Sequence, residues 1–176
     1  MDELAFYRNY DEVFLAVERC LASDLITPAL ILIFTAIDSV GWLASSDPVP
    51  PVAKRFEAFV DKWMLKNYPL PSTAKELYLA RCGLLHNLIP SSGPFDKTGV
   101  RELVLLSGSK RQATAEIKLK GDGQSEGFVA VHVGEILASF RNGFGAFMDS
   151  LEINPEQKKL FDQRVGRHYH HLDDLT

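Results

Sequence analysis

Cysteine is scarce in this chain. Cys20 and Cys82 are the only two among 176 residues, too few for a disulfide framework and in keeping with free thiols in a reducing cytoplasm. Positive charge is not in excess either. Lys and Arg number 19 against 23 Asp and Glu, a net charge of −4, so any nucleic-acid contact must use a local basic patch. A Gly-rich phosphate loop, paired zinc-ligand spacings and a serine nucleophile elbow are all missing, and no cofactor or metal is expected. Long apolar runs reduce to one, Pro28 to Ala44. It is slightly short for a bilayer and carries Thr35, Asp38 and Ser39 in its middle, which favours a buried core helix over a membrane span. The acidic start Met1-Asp2-Glu3 gives no expectation of a secretory signal.

What remains is an ordinary globular composition, 46% hydrophobic and 24% charged, on a length that suits a single domain over 1–176. The first half reads as four helices. Val13, Phe14, Val17 and Leu21 share one face of a helix from Tyr10 to Leu21. Thr27 as N-cap and Pro28 as first helical residue open the apolar helix to about Ala44. The three prolines of Ser45-Ser46-Asp47-Pro48-Val49-Pro50-Pro51 make a stiff connector. Val52, Phe56, Phe59, Val60, Trp63 and Met64 line the third helix, which Tyr68-Pro69 ends. Thr73-Ala74-Lys75-Glu76 matches a capping box for the fourth, which stops near Leu88 ahead of Pro90.

Then the period changes. Leu103 to Leu106, Ala113 to Lys120 and Phe128 to Val133 are short runs punctuated by Ser107-Gly108-Ser109 and Gly121-Asp122-Gly123, which predict a small antiparallel β-meander over about 101–133. Ile136, Leu137, Phe140, Phe144, Phe147, Met148 and Leu151 return to helical spacing. Asn154-Pro155-Glu156-Gln157 then resembles a capping box for a last helix to about His170. The expected fold is mainly α: a bundle of about six helices with the meander inserted before the last two.

The chemistry concentrates in Arg81-Cys82-Gly83-Leu84-Leu85-His86. Leu77, Leu84 and Leu88 form one apolar row of this helix, and Tyr78, Leu85 and Ile89 form its neighbour. Arg81 projects between them, where an unpaired guanidinium is strongly disfavoured. Either a carboxylate meets it, with Asp38 the obvious candidate, or the stripe lines a cleft or a subunit interface. His86 lies about 140° around the helix and about 7.5 Å further along. A site using both residues therefore draws more naturally on two copies of the helix facing each other in a dimer. Gly83 would permit that close approach. In the last turn, His86 also meets the negative end of the helix dipole.

This stretch resembles the R-x(4–6)-H motif of the higher eukaryotes and prokaryotes nucleotide-binding (HEPN) family. The motif sits late in a helical bundle, after an apolar helix with an embedded acid, Ile37-Asp38-Ser39-Val40-Gly41. The resemblance covers roughly residues 8–150. It implies a homodimer with the motif at the subunit interface and a metal-independent endoribonuclease that leaves a 2′,3′-cyclic phosphate, in prokaryotic stress or defence. Arg81 and His86 would be the catalytic pair, with His86 as acid or base and Arg81 stabilising the phosphate oxygens. Asp38 would orient one of them, a role inferred from its setting. Two positions depart from the pattern. Cys82 stands where active members commonly have a polar residue such as asparagine. Asn87-Leu88 lacks the tyrosine of the subgroup paired with a nucleotidyltransferase, which argues against that arrangement. The alternative is a catalytically inactive relative, a dimeric binding or regulatory module.

Two further clusters invite a sharper reading. Arg101, Lys110 and Arg111, with Lys118 and Lys120, would give the meander an RNA-facing side, although such charges more often solubilise a small sheet and protect its edges. His168-Tyr169-His170-His171 reads as an exposed polar tail rather than a metal site, since no distant ligand accompanies it.

Overall fold

The computed structural model describes residues 3–47, 49–89, 99–109 and 127–168. Among these residues, six helices and a two-stranded sheet follow in order: α1 (Glu3–Ala22), α2 (Ile26–Ala44), α3 (Val52–Phe59), α4 (Ala74–Asn87), β1 (Glu102–Leu106), β2 (Phe128–His132), α5 (Val133–Ile153) and α6 (Pro155–His168). A π-helical segment, Val60–Leu65, continues directly from α3.

The apolar helix α2 is the axis of the bundle. Leu30, Ile33, Phe34, Ile37, Val40 and Leu43 are fully buried or nearly so, and α1, α3, α4, α5 and α6 all pack against it. By length and composition it could cross a membrane; in this fold its apolar surface is spent on the other helices. Aromatic rings fill the space between α1, the π segment, α5 and α6. Phe6 meets Phe161 edge-on at 5.1 Å, Tyr10 stacks on Phe144 at 4.9 Å, and Trp63 and Phe147 meet at 5.6 Å. Such offset and edge-on pairs suit the ring quadrupoles. One hydrophobic cluster draws residues from all six helices and both strands.

Several local expectations hold. Thr73 and Glu76 form the complete capping box, with Thr73 N–H donating to Glu76 Oε2 at 2.7 Å and Glu76 N–H donating to Thr73 Oγ1 at 3.2 Å. Others need correction. α2 starts at Ile26 with Leu25, not Thr27, in the cap position and no side-chain cap. Asp24 turns the chain with a φ of 59°, and Leu25 N–H bonds back to the Cys20 carbonyl at 2.8 Å. Pro28 is tolerated because it still lies in the first turn, where a missing N–H costs nothing. At the start of α6, Asn154 Oδ1 accepts from Gln157 N–H at 3.1 Å. The Gln157 side chain, however, reaches the Ala44 carbonyl at 3.0 Å instead of closing the box. α1 also begins much earlier than Tyr10, because Phe6, Tyr10 and Val17 continue one buried face.

The sheet is the main correction. β1 and β2 pair in parallel, Glu102 opposite Phe128 through Leu106 opposite His132, and not as an antiparallel meander. A tight hairpin cannot join parallel strands, but the chain between them, 107–127, is long enough for a crossover. The expected run Ala113 to Lys120 and the Gly121-Asp122-Gly123 turn lie outside the described residues. His132 ends β2 and caps α5: its Nδ1 accepts from Gly134 N–H at 3.0 Å, and its Nε2 lies 3.0 Å from the Gly108 carbonyl. That pairing fits a neutral ring protonated on Nε2.

Candidate functional site

Asp38 and Arg81 meet across α2 and α4. Arg81 donates from both Nε, at 2.7 Å, and Nη2 to the same oxygen, Asp38 Oδ2. The other oxygen, Oδ1, is buried with no hydrogen-bond partner among the described residues. The side chains are 16% and 10% exposed respectively, so the pair sits at the edge of the core with a sliver of guanidinium facing out. Burial works against the Arg81 charge, but the attraction and hydrogen bonds of Asp38 outweigh it and hold its pKa above the ordinary value.

The α4 spacing adds two neighbours. Tyr78 and Cys82 lie at i−3 and i+1 from Arg81 and at i, i+4 from each other, which brings Tyr78 and Cys82 side by side. Cys82 Sγ is 3.9 Å from Arg81 Nη1. Burial first, then a hydrogen bond with Cys82, raises the Tyr78 pKa, while the Arg81 charge pulls the other way. Tyr78 was not among the site residues expected from sequence; its position one turn before Arg81 was the available signal.

His86 is not part of this cluster. It lies in the last turn of α4, exposed, and its imidazole makes no hydrogen bond or ion pair among the described residues. The helix then ends because Leu88 adopts a left-handed conformation, φ 59°, ψ 19°, its N–H closing on the Leu84 carbonyl. This breaks the apolar rows read from sequence. Leu77 and Leu84 are buried, but Leu88 and Ile89 are 64% and 61% exposed. Two and three residues after His86, therefore, stand two large exposed apolar side chains.

Of the five cations expected to give the meander an RNA-facing side, only Arg101 lies within the described residues. Arg101 bridges β1 to the start of α4, its Nε donating to Glu76 Oε1 at 2.7 Å and its Nη2 to Glu76 Oε2 at 3.1 Å. Glu76 is itself 4% exposed, so this pair is a strut of the fold, although 36% of the Arg101 side chain is still open. Lys110 and Arg111 lie outside the described residues, as does all of the His-rich tail beyond His168. Among the described residues no group of three or more His, Cys, Asp or Glu is placed to hold a metal.

Sequence reading missed Arg164 altogether. Its buried guanidinium donates to the carbonyls of Trp42, Leu43, Ser45 and Asp47, gathering carbonyls from the end of α2 and the connector after it onto one cation. Burial lowers its pKa, and Asp47 opposes that. An arginine in the polar-looking α6 gives no hint of this before the helix is docked.

No family model matches the chain, and no curated protein or solved structure matches it either. Function has to be argued from the site itself.

Proposed function

We propose that the chain is a cytoplasmic, metal-independent endoribonuclease of the HEPN type. It acts as a homodimer that unites Arg81 and His86 at the subunit interface. The observation that carries this reading is the bond between the embedded acid of α2 and the motif arginine of α4. Asp38 fixes the guanidinium in one orientation, which is what a group stabilising phosphate charge requires. His86 is exposed, with no hydrogen bond or ion pair among the described residues, and the exposed Leu88 and Ile89 that follow it in sequence offer apolar surface suited to a second copy.

In the proposed reaction a ribose 2′-hydroxyl attacks the adjacent phosphorus. The new P–O2′ bond forms as the P–O5′ bond breaks. His86 from one protomer takes the proton of the 2′-hydroxyl, and water gives a proton to the leaving 5′-oxygen. Arg81 faces the negative phosphate oxygens. The open part of Arg101, with Lys110 and Arg111, would bear on the flanking backbone. RNA cleavage in EDTA with 2′,3′-cyclic phosphate ends, lost in both Arg81→Ala and His86→Ala while both variants remain folded, is the expected result. A folded wild-type protein that leaves RNA intact would refute it.

A second reading has one observation in its favour: Nε and Nη2 of Arg81 are both spent on Asp38. In a dimeric binding module without catalysis, the pair would serve the architecture alone.

A further inference from the structure

A cleft of about 310 Å³ lies between the C-terminal end of α2, the connector that follows it, and α3 with its π extension. It is on a different part of the chain from Arg81 and His86, and its interpretation does not depend on the endoribonuclease reading. Its lining carries three cations, Lys54, Arg55 and Lys62, against a single acid, Asp47. Asp47 is already engaged, its Oδ1 accepting from Val49 N–H at 2.9 Å. The Arg55 Nε is buried and has no acceptor among the described residues. A buried donor on a charged group without an acceptor is uncommon and needs a physical cause. Lys54 and Lys62 are exposed at the same cleft, so an anion seated at Arg55 would meet more than one cation there.

The site has a second character. Ala58, Phe59 and the half-buried Trp63 supply apolar wall beside the cations, and Lys62 Nζ sits 4.6 Å above the Trp63 ring. The walls also stand close. A Cβ at Gly41 would come within 2.9 Å of the Arg55 carbonyl oxygen, so α2 and α3 are locked together at the base of the cleft. The first turn of α3 has no side-chain cap, because Pro51 occupies the N-cap position, and its open N–H groups add partial positive charge at the same end.

We infer that this cleft binds a small organic phosphate: Lys54, Arg55 and Lys62 take the phosphoryl oxygens, and the apolar remainder lies against Phe59 and Trp63. The volume is at the small end of the usual range for ligand pockets, which suits a compact molecule and not a polymer.

Phenyl phosphate and inorganic pyrophosphate are suitable probes for titration calorimetry on the full chain. Both should bind, phenyl phosphate with quenching of Trp63 fluorescence and pyrophosphate without it. A charge-assisted hydrogen bond of the usual strength predicts roughly tenfold or greater loss of affinity in Arg55→Gln. The exposed Lys54→Ala should lose no more than about fivefold. Without a ligand, Arg55→Met should melt no lower than wild type, since the buried Nε it removes has no acceptor among the described residues. That measurement separates a ligand site from a structural arginine. Absence of binding by both probes, equal affinity in wild type and Arg55→Gln, or a marked fall in melting temperature of unliganded Arg55→Met would each overturn the inference. Binding of single-stranded RNA that Arg55→Gln abolishes, with neither small probe bound, would overturn the choice of occupant.

Discussion

Arg81 and Asp38 show how much a pair of side chains can disclose before any fold is known. Each is a charge set in an apolar helix, and neither is tolerable alone, so pairing them was the economical solution. The structure makes the bond but makes it lopsidedly, leaving Asp38 Oδ1 without a partner among the described residues. Arg81→Ala would strand a buried carboxylate and should cost about 3 kcal/mol in denaturant unfolding. Asp38→Ala with Arg81→Ala should cost less than the sum of the two single changes, by at least about 1 kcal/mol. Strict additivity would mean that the two do not interact. Tyrosines give a second test. Tyr68 donates to Glu135 Oε2 at 2.5 Å, and that bond, helped by the carboxylate charge, raises its pKa. Burial raises Tyr78. The folded chain thus holds the protonated phenol more tightly than the unfolded chain does. The stability this gives is complete below the ordinary value of about 10, and is lost as pH rises through the raised folded values. Tyr68→Phe and Tyr78→Phe should each remove a late component from the alkaline absorbance titration. The same late components in both variants would contradict the assignment.

Helices were legible where a residue's role is local, and obscure where a distant element decides it. The capping box of Thr73 and Glu76 needs four consecutive residues and was plain. The start of α2 was misplaced because Leu25 bonds back to Cys20, a turn that the good N-cap chemistry of Thr27 concealed. Strand direction was misjudged for a related reason. Short apolar runs carry no polarity, and the run at Ala113 to Lys120 invited a hairpin, while the observed partners Leu103 and Val129 lie far apart in sequence. Two substitutions test how the elements are joined. Gly143 in α5 faces the π segment so closely that a Cβ would lie 2.9 Å from both Cα and N of Met64. Alanine would gain up to about 1 kcal/mol of helix propensity, but backbone atoms cannot swing aside, and overpacking of about 1–3 kcal/mol should win. Gly143→Ala should therefore lower the melting temperature; a rise would mean that the two elements can part. Arg164→Leu should cost about 2–4 kcal/mol, because it removes four hydrogen bonds at once, among them the one to the buried Leu43 carbonyl. A loss under about 0.5 kcal/mol would show that Arg164 does not hold α2 and α6 together.

For the molecule as a whole, the candidate site was half visible in the sequence. The motif and its acid could be named, but the exposure of Leu88 and Ile89 could not, because it follows from a left-handed residue at the helix end. Leu88 occupies a conformation that favours glycine. A large apolar side chain held there in water is costly to an isolated protomer and useful to a paired one. Leu88→Gly should thus stabilise the monomer by about 0.5–1 kcal/mol while weakening self-association in analytical ultracentrifugation. Unchanged association would place the subunit contact elsewhere.

Mixing two inactive variants tests the proposed shared site most directly. Arg81→Gln keeps a donor toward Asp38, and His86→Ala alters only an exposed ring; each homodimer should be silent on RNA in EDTA. Reassociated together, half of the dimers are mixed, and each mixed dimer holds one complete Arg81/His86 set across the interface. Cleavage should return to about a quarter of the wild-type rate. Mixed dimers that form, yet leave the RNA uncut, would contradict a catalytic site built from two copies of α4.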